Sequence, residues 1–63
     1  MIKLNGQEKP FQGTLELLLT EHQYQLSRVA VLVNGEIIKR EFWSTYILNH
    51  GDAIDVVTFV GGG

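Results

Sequence analysis

Arg28-Val29-Ala30-Val31-Leu32-Val33-Asn34-Gly35-Glu36-Ile37-Ile38 is the stretch that decides the fold. Its first half is apolar and rich in β-branched valine, which favours a pleated strand over a helix. If Val29, Val31 and Val33 point inward, Ala30 and Leu32 lie on the opposite face, because side chains alternate along a strand. Asn34-Gly35 is the strongest short hairpin signal, so Glu36 to Ile38 reads as the return strand.

The same turn chemistry occurs once more, upstream. Met1-Ile2-Lys3-Leu4 reads as a short strand, Asn5-Gly6 as its turn and Gln7 to Phe11 as the return strand. Pro10 has no N–H to give a ladder, so that strand lies at a sheet edge or ends early, and Gly13 breaks it. Thr14 then reads as an N-cap with Glu16 in the first turn, where the helix dipole favours negative charge. Leu15, Leu18 and Leu19, with His22 one turn beyond Leu18, fall on one side of a helix of about two turns, and Leu17 widens the stripe. A helix this short needs a sheet to pack against. Tyr24 to Ser27 is a connector closing one end of the core.

Downstream of the second hairpin, Lys39 to Tyr46 has no clean period. It reads as a 3₁₀ or irregular turn whose aromatics, Phe42, Trp43 and Tyr46, pin a crossing segment. Asn49-His50-Gly51-Asp52 is a turn, and Ala53 to Phe59 is the last strand. Ile54, Val56 and Thr58 share one of its faces, Asp55, Val57 and Phe59 the other. Two hairpins flanking one helix predict an α+β domain over residues 1–60, a mixed sheet of four to five strands with the helix laid across it. The first and last strands are far enough apart in sequence to pair in parallel in the middle.

Composition narrows the function. Sixty-three residues make a small domain, which buries only roughly 60% of the surface its unfolded chain exposes. There is no cysteine, hence no disulfide staple and no thiolate. No apolar run is long enough to span a bilayer and no secretory leader opens the chain, so a cytoplasmic protein without a membrane partner is expected. Net charge is −2 and the five basic residues form no long run, although Lys39 and Arg40 are adjacent, which argues against nucleic acid. His22 and His50 have no cysteine to activate and no metal-ligand spacing around them. Ser27 and Ser44 lack a nucleophile context. Asp52 and Asp55 read as a solvated turn, and Gly61-Gly62-Gly63 has neither the lysine nor the helix of a phosphate loop.

One group survives this filter: the α-carboxylate of Gly63. With a pKa of about 3.3–3.7 an α-carboxyl is an anion at neutral pH and a poor electrophile, so it must be activated, most simply as an acyl-adenylate made from ATP. Gly61 and Gly62 have no Cβ, fit a narrow slot and allow close backbone approach. From Phe59 to Gly63 an extended tail reaches roughly 16–18 Å at about 3.3–3.6 Å per residue. Val57 and Phe59, with Leu32 nearby if the strands are neighbours, would form an apolar contact patch beside Val60 and the tail. Three glycines also suit a frayed end, and isolated exposed apolar residues are ordinary.

The run Val29 to Ile38, followed by Arg40, Trp43, Gly51-Asp52, Ile54-Asp55-Val56-Val57 and the ending Phe59-Val60-Gly61-Gly62-Gly63, resembles the ThiS family of thiamine-biosynthesis sulfur carriers. The amino-terminal hairpin, Gly13-Thr14 and the leucine-rich helix fit as well, so the likeness covers essentially the whole chain. Lys39 stands where the family commonly has proline, and His50 where it often has an acidic residue. The resemblance implies a ubiquitin-like β-grasp fold and a flexible tail at residues 61–63. It further implies a co-substrate, not an enzyme, monomeric when free, with no cofactor of its own. A ThiF-type adenylating enzyme using ATP and Mg²⁺ would activate Gly63, a sulfur donor protein would convert it to a thiocarboxylate, and thiazole synthase would accept the sulfur. Gly61, Gly62, Val60, Phe59, Val57 and Leu32 would bind these partners. A molybdopterin synthase small subunit, a ubiquitin-like modifier and a passive binding module are the alternatives that share such a tail.

Overall fold

The structure is a computed structural model and describes residues 1–60. Its elements are β1 (Ile2–Leu4), β2 (Gln7–Lys9), α1 (Leu15–Glu21), β3 (Val29–Val33), β4 (Glu36–Ile37) and β5 (Ala53–Thr58), with 3₁₀ turns at Leu26–Arg28 and Arg40–Phe42. The sheet order is β2-β1-β5-β3-β4. β1 and β5 run parallel, and the other pairs are antiparallel. This five-stranded mixed sheet crossed by one helix is the β-grasp arrangement.

Both hairpins turn as their dipeptides require. Asn5 and Gly6 have φ of 49° and 83°, Asn34 and Gly35 53° and 83°. Positive φ at both central residues marks the turn whose twist matches that of the flanking strands, and Asn-Gly reaches it at the least steric cost. β2 stops at Lys9, the residue before Pro10, so the return strand is shorter than Gln7 to Phe11.

Thr14 caps α1 as its sequence predicts, its Oγ1 accepting from the N–H of Leu17 at 3.1 Å. Leu15, Leu18 and Leu19 are completely buried and pack with Ile2, Leu4, Val29, Val31, Val33, Trp43, Leu48 and Ile54. At about 1.5–3 kcal/mol for each large aliphatic side chain buried, this cluster is the main source of stability for a chain with no crosslink. Two expectations for this helix fail. Leu17 is exposed, because the core-facing stripe is narrower than the leucine run. His22 is the C-cap of a seven-residue helix and is itself exposed; its Nδ1–H donates to the Leu18 carbonyl at 3.0 Å.

Of the aromatics after β4, Trp43 does the pinning. It is buried, and its Nε1–H donates to the Ile38 carbonyl at 2.8 Å, tying the crossing segment to the end of the second hairpin. Tyr46 is partly buried against the core, whereas Phe42 is exposed. No helix among the described residues is long and apolar enough to cross a membrane.

Candidate functional site

β5 leads to the glycine tail, so what holds β5 decides how the tail is presented. On one side it pairs with β3 along its whole length, from Val33↔Ile54 to Val29↔Thr58. The ladder continues past both ends: Asn34 N–H donates to the Ala53 carbonyl at 2.7 Å, and Phe59 N–H to the Arg28 carbonyl at 2.7 Å. Ala53, Asp55, Val57 and Phe59 therefore turn their backbone groups toward β3, and Ile54, Val56 and Thr58 turn theirs toward β1.

On that second side the support is short. β1 pairs only through Lys3↔Ala53 and Leu4↔Ile54 before the chain turns at Asn5-Gly6. Asn5 closes the contact: its N–H donates to the Ile54 carbonyl at 2.8 Å, and its Oδ1 accepts from Val56 N–H at 2.7 Å. Its Nδ2 donates to the Tyr24 hydroxyl at 3.2 Å. Asn34 does the equivalent work at the start of the strand, its Oδ1 accepting from Ala53 N–H at 2.9 Å and its Nδ2 donating to Asp52 Oδ1 at 3.0 Å. Both hairpin asparagines thus serve as turn residues and as side-chain clamps on β5. From sequence both read as turn residues alone, and the repetition of Asn-Gly is the one local signal of the second role.

Beyond Asn5 the strand emerges from the fold. Ile54 is fully buried, Val57 is 53% exposed, Phe59 56% and Val60 95%. Val57 lies opposite Ala30, with Leu32 diagonal to it and Ile37 opposite Leu32, so these residues share the outer sheet face. Leu32 is half-buried and Ile37 exposed. Leu32 and Val57 are accordingly brought together, as the alternation predicts, and Ile37 joins them unforeseen. Phe59 lines a groove of about 350 Å³ with Leu26, Val29, Ile38, Arg40 and Trp43. Arg40 is a second residue the reasoning from sequence did not place near the tail. Gly61, Gly62 and Gly63, with the expected flexible tail, lie outside the described residues.

The remaining titratable residues build nothing comparable. His50 Nδ1 accepts from the Met1 ammonium at 2.9 Å, while His22 caps the helix. Among the described residues no group of three His, Cys, Asp or Glu side chains could hold a metal ion.

The model of the ThiS family matches residues 2–63. The sulfur carrier protein ThiS of Bacillus subtilis is 39% identical over 66 aligned positions that cover all of both chains. A thiazole synthase of Paramagnetospirillum magneticum is 37% identical over 62 positions; these take in 95% of this chain but span only 19% of that longer protein. The crystal structure of a thiamine biosynthesis protein (ThiS) from Geobacter metallireducens superposes with a TM-score of 0.82 at 28% identity, covering 98% of this chain and 97% of that one.

Proposed function

This chain belongs to the ThiS family, and we propose that it is a sulfur carrier of thiamine biosynthesis whose cargo rides on the α-carboxylate of Gly63. The observation that carries the reading is the family match through residue 63. The architecture supports it: β5 is clamped at its root and exposed at its end, so the domain can hold a tail toward another protein without rearranging its core.

The reaction sequence follows from the chemistry of a carboxylate. A ThiF-type adenylating enzyme holds ATP and Mg²⁺; a carboxylate oxygen of Gly63 attacks the α-phosphorus and pyrophosphate leaves. The resulting acyl-adenylate has a good leaving group. The terminal sulfur of a persulfide on a sulfur donor protein attacks the carbonyl carbon, AMP departs, and a thiol then cleaves the S–S bond to free the thiocarboxylate. Thiazole synthase takes the sulfur. That a thiazole synthase contains a segment similar to this chain supports the last partnership. The chain supplies no catalytic side chain in this scheme and acts as a co-substrate in the cytoplasm. Val57, Leu32, Phe59 and Val60 contribute apolar contact around the tail, and Gly61 and Gly62 pass through a slot too narrow for a Cβ.

The test is intact mass after incubation with ATP, Mg²⁺, a sulfide source and an active ThiF-type enzyme from the same organism. Replacement of one oxygen by sulfur, mapped to the C-terminal peptide, is expected. An unchanged mass would leave the family fold without its chemistry. Gly62→Val should abolish the adenylate while moving stability by no more than about 0.5 kcal/mol. Parallel losses of both would make the tail a structural element instead.

A further inference from the structure

The half of β5 that β1 does not reach has an open ladder. By the alternation established above, the Val56 carbonyl and the Thr58 N–H and carbonyl face the β1 side, past the Asn5-Gly6 turn. None of the three has a hydrogen-bond partner among the described residues. The opposite side of the strand is fully taken, up to the bond between Phe59 N–H and the Arg28 carbonyl. We infer that this open edge is a strand-addition site, where a short extended segment of the adenylating enzyme pairs with Val56–Thr58 in line with β1.

The proposal rests on the sulfur-carrier reading and deepens it. From Val60 the residues Gly61 to Gly63 span at most roughly 10–11 Å at about 3.3–3.6 Å each. An enzyme that acts on the Gly63 carboxylate must therefore press its surface against the end of β5. Closing protein around Val56–Thr58 removes water from three backbone groups, and buried backbone groups left unpaired are strongly disfavoured. The β3 side has nothing left to offer, so the enzyme can satisfy them only from the β1 side. Backbone pairing along a sheet edge is the mode that does so, with side-chain pockets adding selectivity. The exposed Val57 side chain on the adjacent face supplies an apolar flank for the incoming segment. The Asn5-Gly6 turn blocks the ribbon position upstream, which limits the added segment to two or three paired residues. The open edge is equally short, and short edges discourage pairing between copies of the same chain.

Amide hydrogen exchange on the isotope-labelled chain tests this, with and without the adenylating enzyme and ATP, beside a mass assay for the Gly63 adenylate. The Thr58 amide should exchange at least about tenfold more slowly in the complex, as a new ladder bond requires. Thr58→Pro removes that N–H at an edge position where proline is tolerated, and should weaken enzyme binding by about tenfold with the fold retained. An adenylate that forms while Thr58 exchanges at its free rate overturns the strand-addition site and leaves the carrier function standing. Absence of any adenylate overturns both. Should Thr58→Pro disturb the fold, exchange at Thr58 in the unaltered chain still decides.

Discussion

The root of β5, Ala53 to Asp55, and the tip, Val56 to Thr58 with Phe59 and Val60 following, are one continuous stretch of chain under opposite physical demands. The root has neighbours on both sides, a fully buried Ile54, and a hairpin asparagine at each border. The tip has one neighbour, and its apolar side chains are more than half exposed from Val57 onward, at 59 and at 60 alike. Root substitutions should therefore register as stability, tip substitutions as partner affinity. Holding the sheet together and presenting an exposed apolar end are thereby separated along a single stretch of chain.

Four substitutions probe that division, beginning with the most damaging. Ile54→Ala empties a fully buried position at the sheet centre and should cost about 2–5 kcal/mol, read as a fall in the urea midpoint. A loss under 1 kcal/mol, on the scale of an ordinary surface change, would mean the root is not the anchor. Asn5→Gly keeps the positive φ that Asn5 adopts and deletes only the clamp, leaving Val56 N–H without its acceptor. About 1–2 kcal/mol is expected. No change in midpoint would move the border between root and tip downstream of Asn5. Asn34→Asp keeps an acceptor for Ala53 but sets a second carboxylate against Asp52. Its cost should stay below about 1 kcal/mol and shrink as salt is raised. Val57→Thr preserves β-branching at an exposed site and should alter stability by less than about 0.5 kcal/mol, yet weaken adenylating-enzyme binding measured by titration. Unfolding comparable to that of Ile54→Ala would erase the distinction.

How far such features could be read in advance depends on their sequence range. Asn5-Gly6 and Asn34-Gly35 declared their hairpins because a turn is decided by adjacent residues, and the valine alternation of β3 declared its buried face. The Thr14 cap was legible for the same reason. What escaped was long-range. Asn5 and Val56 are 51 positions apart, so nothing local to either reveals that one grips the other. Leu17 misled because four leucines and two glutamates in a seven-residue helix cannot fix the width of a buried stripe. Phe42 misled because aromatic clustering in sequence does not say which ring turns inward; Trp43 does and Phe42 does not. The candidate site was legible as a face, since Val57 and Leu32 follow from alternation. The proximity of Ile37 and Arg40 required the sheet order.

The position of β5 also governs how the molecule can be assembled. Translation delivers both hairpins and the helix before the strand that occupies the middle of the sheet. Each hairpin can close early because its partners are adjacent, but until β5 arrives the β1 and β3 edges stand open, facing a gap. Joining the halves requires pairings between residues some fifty positions apart, Lys3 with Ala53 and Leu4 with Ile54, and such non-local closure is slow compared with hairpin formation. Refolding should then be governed by one late event, the insertion of a single strand into a waiting slot, and the nascent chain is most exposed to wrong pairing in the interval just before it.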